Sequence, residues 1–160
     1  AAKKLYHKHS TRIKLYLVGE IQPKSPNSVP KEYILNEAPP NFVWLGFRSD
    51  IPTLLSISDV VVLPSYYREG VPRCLLEAMA MSRPIIATDF PGCREVIKDG
   101  FNGYLIPIRD SKAIASSIEK FLLDRNLAVR MGKAGRDWVE REFDERYIAY
   151  RVIKELYGIS

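Results

Sequence analysis

Residues 60–82 constrain the fold most. A short apolar run is followed at once by a glycine-containing turn and then by a proline-led helix. Val60-Val61-Val62-Leu63 is of buried-strand type. Pro72 is a residue favoured at a first helical position. From there Cys74, Leu75, Leu76, Ala78, Met79, Ala80 and Met81 put apolar groups around nearly the whole helix. Such a helix is expected to be buried on most sides, with Cys74 a core thiol. Glu77 stands in the middle of it, and a buried carboxylate needs a partner or a polar pocket. Glu69 precedes it on the loop. Strand, glycine loop and helix N-terminus together make an anion site, because outward N–H groups and the helix dipole both favour negative charge. A phosphate there, with a carboxylate on either side to take hydroxyls, describes a site for a sugar nucleotide. On spacing alone, Glu69 is equally a solvated loop acid and Glu77 a helix residue paired with a nearby Arg or Lys.

The rest of the chain repeats the strand-to-helix rhythm. Ile13 to Gly19 reads as a strand closed by glycine, and residues 20–30 as a proline- and serine-bearing loop. Lys31 to Ala38 is a short helix stopped before Pro39-Pro40. Asn41 to Gly46 is the next strand, and Ser49-Asp50 caps a helix over Ile51 to Ile57. Pro84 to Thr88 is a strand, Pro91-Gly92-Cys93 opens a helix over Arg94 to Lys98, and Asp99 to Gly103 is a turn. Tyr104 to Pro107 is a last strand. Helices follow from Asp110-Ser111, over 126–142, and from Asp144; Met131 and Trp138 are read as core. This alternation predicts an α/β fold, a doubly wound parallel sheet with helices on both faces and a helical C-terminal segment, residues 126–160. Ligands of such sheets bind at the carboxyl ends of the strands, here the loops at Gly19, Gly46, Pro64 to Gly70 and Thr88 to Gly92.

At 160 residues the chain is one domain of ordinary size. Its net charge of +5 comes without the basic and aromatic interleaving of nucleic-acid binders, so no nucleic acid is expected. Lys3, Lys4, Lys8, Arg12 and Lys14 would allow peripheral contact with an acidic membrane surface. Cys74 and Cys93 have no metal-ligand spacing and fit a reducing, cytoplasmic compartment. No Asp-x-Asp or histidine cluster suggests a metal, and no apolar run is long enough to cross a bilayer. The chain opens without methionine inside a helix-like stretch, so it is expected to be cut from a larger two-domain protein.

Pro64-Ser65, Glu69-Gly70-Val71-Pro72, Leu76-Glu77-Ala78-Met79-Ala80 and Pro84 to Thr88 together resemble the signature of group 1 glycosyltransferases, glycosyltransferase family 4. Glu69 and Glu77 match the family's E-x7-E pair, and the likeness runs from about Ile13 to Tyr147. It implies the GT-B architecture of two Rossmann-like domains, of which this chain matches the C-terminal, donor-binding half. The wording Pro91-Gly92-Cys93-Arg94-Glu95 looks like bacterial surface-polysaccharide transferases of capsule, O-antigen or exopolysaccharide.

The resemblance also implies roles. Glu69 would be catalytic, holding hydroxyls of the donor sugar. Gly70, Val71 and Pro72 would set the loop where main-chain N–H groups meet the sugar and diphosphate, and Ser65 would also contact the donor. Glu77 would bind ribose hydroxyls, and Gly46, Phe47 and Arg48 would border the base. Asp59 and Glu95 match family positions and are read as structural. The donor would be a UDP- or GDP-sugar, and the reaction retaining and metal-independent, with no cofactor. Ser82 departs from the family's usual glycine. The family's Arg and Lys that neutralise the departing diphosphate, and the acceptor domain, fall outside this chain. Two other readings stand: a non-catalytic sugar-nucleotide-binding module, and an epimerase or phosphorylase of the same fold, which His7 and His9 do not favour because they lie outside the ligand edge.

Overall fold

A computed structural model describes residues 1–21, 28–67, 70–144, 146 and 154. Every described strand pair is parallel and helices connect the strands, so the chain is α/β as expected. It divides into two compact units, residues 1–51 and 52–160.

In the first unit, α1 (Ala2–His9) leads to β1 (Leu15–Val18), and α2 (Lys31–Glu37) leads to β2 (Phe42–Gly46). The two strands pair in register from Leu15 opposite Phe42, with an irregularity between Leu17 and Val18. Leu5 is the residue of α1 that is buried, and Lys3 pairs with Glu37 at 2.5 Å. His7 is exposed and His9 half-buried.

The second unit takes in all of α3 (Ile51–Ser56) but its first residue and holds the sheet β3 (Val61–Leu63), β4 (Ile85–Thr88) and β5 (Gly103–Ile106), in that order. β4 is buried at all four positions, so both its faces are covered. One face carries Ile86 and Ile106 against Phe121 of α6 (Ser111–Leu123) and Met131 of α7 (Arg125–Glu142). Parallel crossovers of one hand place α4 (Arg73–Ala80) and α5 (Pro91–Arg94) together on the opposite face. Gly103 in β5 runs so close to β4 that a Cβ there would meet the Ile85 carbonyl oxygen at 2.4 Å.

Three expectations need correction. The helix opened by Pro91 stops at Arg94 instead of reaching Lys98. The cause is Asn102, fully buried, whose Oδ1 accepts from the Lys98 N–H at 2.8 Å while its Nδ2 donates to the Val96 carbonyl at 2.9 Å. These bonds take main-chain groups that a longer helix would have used internally. Cys74 is exposed, not a core thiol; the buried cysteine is Cys93. On α7 the buried stripe is Met131, Gly132, Gly135 and Val139, whereas Trp138 is half-buried with the Lys98 ammonium 3.7 Å from its ring centre. The helix expected from Asp144 falls almost wholly outside the described residues.

The glycine substitute Ser82 holds a regular helix end. Its φ is 56°, its N–H donates to Met79 O at 2.8 Å and the next N–H, from Arg83, donates to Ala78 O at 2.8 Å. That is the Schellman pattern, in which a left-handed residue ends the helix. The turn is kept and a serine adopts the conformation that glycine takes more cheaply.

Candidate functional site

The stretch after β3 builds the first part of the site. Ser65 Oγ accepts from the Tyr67 N–H at 3.3 Å, and the Tyr66 and Tyr67 rings stack at 5.2 Å with 17° between planes. Gly70 is exposed, and a Cβ there would meet nothing within 4 Å. Val71 and Pro72 follow, and Pro72 is the N-cap of α4 with an extended φ of −69°. No described side chain caps this helix start. The Leu75 N–H donates to Pro72 O at 3.0 Å, and the positive end of the α4 dipole meets no capping side chain among the described residues. Glu69 lies outside the described residues.

Glu77 is where the sequence reading of α4 fails in an informative way. Leu75, Ala78 and Met79 are buried, but Cys74 and Glu77 are both exposed. Positions three apart share a helix face, so one side of α4 packs and the side with Glu77 opens outward. The helix is amphipathic, not buried on most sides. Glu77 is a carboxylate on an open face about one turn past the helix start, and no described side chain pairs with it.

The loop after β4 stands beside this stretch on the same sheet edge. Thr88 is buried at 1%, and Asp89 donates its N–H to Ile106 O at 2.8 Å. The Asp89 carboxylate takes the Arg94 guanidinium on both oxygens, at 2.5 and 3.0 Å. This hydrogen-bonded pairing holds the Asp89 carboxyl below its usual range, against a smaller opposing effect of desolvation. Gly92 and Cys93 of α5 are buried. Asp59 and Glu95 are exposed.

In the first unit the two glycines that close strands meet. The Gly19 N–H donates to Gly46 O at 2.9 Å, and Trp44 Nε1 donates to Gly19 O at 2.9 Å. Gly46 has φ +66°, a turn that favours glycine. Phe47, next in line, is 68% exposed. Arg48 is forked onto Asp50, Nε to Oδ1 at 2.7 Å and Nη2 to Oδ2 at 2.6 Å. The hydrogen bonds raise the Arg48 pKa and lower that of Asp50. Asp50, expected as a helix cap, also holds the planar Arg48 cation, the residue that follows the exposed Phe47 in the chain.

Two residues escaped the sequence reading. The Arg109 guanidinium carbon sits 4.8 Å from the centre of the Tyr66 ring. Both belong to loops that leave the carboxyl ends of strands in the second unit. A cue existed in the sequence, since Arg109 occupies a turn position between Pro107 and Asp110 where glycine is usual. Among the described residues no group of three His, Cys, Asp or Glu side chains is placed to hold a metal, and no helix is long and apolar enough to cross a membrane.

Comparison with known proteins decides the family. The model of "Glycosyl transferases group 1" matches residues 1–138. The chain belongs to the group 1 glycosyltransferases. It is 31% identical over 147 residues to the capsular polysaccharide biosynthesis glycosyltransferase CapM of Staphylococcus aureus, covering 91% of this chain and 38% of that protein. It is 38% identical over 112 residues to the N,N'-diacetylbacillosaminyl-diphospho-undecaprenol alpha-1,3-N-acetylgalactosaminyltransferase of Campylobacter jejuni, covering 69% and 29%. The chain thus spans about a third of the length of these group 1 relatives. Among solved structures, Anabaena Alr3699/HepE in complex with UDP-glucose superposes with a TM-score of 0.83 at 23% identity, over 99% of this chain and 44% of that one. Over nearly its whole length this group 1 chain therefore shares the Rossmann-like α/β fold of part of that structure.

Proposed function

We propose that this chain is the donor-binding half of a retaining, metal-independent glycosyltransferase acting in bacterial surface-polysaccharide assembly. The observation that carries the reading is Glu77. It is an exposed carboxylate on a helix whose start no described side chain caps, directly after a parallel strand. A diphosphate at the start of α4 would meet main-chain N–H groups and the positive dipole end. Glu77, further along the same helix, would accept from two ribose hydroxyls. The family resemblance implies that Gly46, Phe47 and Arg48 border the base; within the first unit the exposed Phe47 ring and the Arg48 guanidinium plane, held by Asp50, offer stacking surfaces.

In the reaction, the bond from anomeric carbon to phosphate oxygen breaks and its electron pair stays on the nucleoside diphosphate. Donors arranged in advance around that charge lower the barrier. Gly70, Val71 and Pro72 lead into the helix start that supplies part of this stabilisation. Glu69 would hold donor-sugar hydroxyls and act as the catalytic residue. The acceptor would be bound by the remainder of a longer protein, and transfer would run in the cytoplasm, at the inner face of the membrane. The capsular and undecaprenol-linked relatives support this setting, and the resemblance to a UDP-glucose complex supports a nucleotide-sugar donor.

Calorimetric titration with UDP, GDP, ADP and their glucose or mannose conjugates tests the reading. Wild-type chain should bind one nucleotide family. Glu77→Ala should weaken that binding about 10- to 100-fold, the loss expected for hydrogen bonds to a charged group. Glu69→Ala should leave nucleotide affinity nearly intact and lower turnover in the full-length enzyme. Equal affinity of wild type and Glu77→Ala would sink the assignment.

A further inference from the structure

We propose that Arg109 is a positioning residue: through the Tyr66 ring it braces the stretch Pro64–Tyr67 that leads to the helix start of α4. Its importance for donor binding rests on the function proposed above; the brace itself does not.

Three observations meet at this point. First, Arg109 occupies the third position of the turn Pro107–Asp110, closed by the Asp110 N–H donating to Pro107 O at 3.3 Å, and its φ is 59°. Glycine is the ordinary occupant of such a position, and a long side chain there carries backbone strain. Second, the side chain has a specific use. Its guanidinium lies over the Tyr66 ring at 4.8 Å, in cation–π range. Arg48, Arg94, Arg130 and Arg136 all face carboxylates, whereas the ring is the partner described for Arg109. The neighbouring Asp110 is engaged elsewhere, its Oδ1 accepting from Lys112 and Ala113 at 2.9 Å. Third, the ring it holds is built into the loop. Tyr66 stacks on Tyr67, and the Tyr67 N–H is fixed by Ser65 Oγ at 3.3 Å. Fixing Tyr66 therefore restrains Ser65 and Tyr67 together. Both partners are solvent-accessible, Tyr66 by 37%, so bulk hydrophobic burial does not explain the contact.

Ser82 provides a matched control. It is the other described non-glycine residue with positive φ, at 56°, and it ends a helix away from this contact. Removing strain at either position by glycine is the same backbone change. Only the change at Arg109 removes the brace.

The test is amide exchange at Tyr67, measured by NMR on the ligand-free chain, for Arg109→Gly, Arg109→Lys, Tyr66→Leu and Ser82→Gly. Arg109→Gly and Tyr66→Leu should speed exchange about two- to five-fold, the worth of an exposed cation–π contact. Arg109→Lys, which keeps the cation, should restore most of the protection, and Ser82→Gly should change nothing at Tyr67. Arg109→Gly should melt no lower than wild type, which separates loosening of the loop from general destabilisation. Unchanged exchange in Arg109→Gly, or the same acceleration in Ser82→Gly, overturns the brace. A second arm titrates the same variants with UDP-glucose and GDP-mannose. Affinity should fall in Arg109→Gly by a factor similar to the exchange effect and recover in Arg109→Lys. Wild type that binds neither probe would count against the donor reading, while the amide arm would still decide the brace.

Discussion

At Ser82 and Arg109 the backbone takes φ values of 56° and 59°, where a side chain is strained and glycine is not. Ser82→Gly should stabilise the fold by about 0.5–1 kcal/mol and raise the melting temperature accordingly. A calorimetric melt that shows no gain would mean the strain is relieved elsewhere. Gly132 is the opposite case. A Cβ there would stand 2.1 Å from the Ser82 carbonyl oxygen, so Gly132→Ala must push α7 away from a backbone atom. It should cost roughly 2–4 kcal/mol, read as a lowered denaturation midpoint at unchanged slope. Asp89 offers a pH signature. Its pKa is lowered chiefly by the hydrogen bonds from Arg94, so the pair stabilises the fold above the ordinary carboxylate range and is lost as pH falls through the lowered value. Arg94 and Asp89 are 58% and 41% exposed, which keeps the energy small, but the midpoint is measurable by NMR. In Arg94→Gln it should move upward. Among these residues the sequence marked Glu77 correctly as an acid at helical spacing from apolar neighbours. Its exposure was not legible, because Cys74 and Leu76 on the open side of α4 look the same in sequence whether packed or open.

Elements were legible wherever period and cap agreed. The helix α6 begins where Asp110 and Ser111 stand, and the Asp110 carboxylate does cap it by accepting from two main-chain N–H groups. Asp110→Ala should cost about 1 kcal/mol by thermal melt, mostly as fraying of that end. Reading α5 from the same kind of signal overshot, because a side chain four residues beyond its expected end took its hydrogen bonds. Asn102→Ala would leave the Lys98 N–H and the Val96 carbonyl without their buried partner, and should cost roughly 2–4 kcal/mol. Stability unchanged in that variant would mean that water replaces the amide. On α7 the pattern of Leu127, Met131, Ala134 and Trp138 gave the helix but not its packed side. Gly132 and Gly135 pack closest, against Ser82, Pro84, Met79 and Asn102, and glycine adds nothing to a hydrophobic count. Close approach of backbones is invisible to periodicity for that reason.

At the scale of the whole molecule, alternating apolar runs and glycine turns were enough to give parallel α/β architecture, since parallel strands need a crossover between them. The family followed from a few residues spaced along one strand, loop and helix. What a sequence cannot carry is how helices distant in the chain lean on each other. Arg136 of α7 donates from Nη1 to the Ala80 carbonyl of α4, 56 positions earlier, and Glu140 holds the same guanidinium at 2.5 Å. With Gly132 against Ser82 and Gly135 against Met79, this makes α7 the backstop of the helix that displays Glu77. Damage to that backstop would therefore lower the stability of the second unit and shift the helix that carries Glu77 in one stroke; under the donor reading proposed above, weakened nucleotide affinity in such a variant would report a displaced prop and not a lost contact.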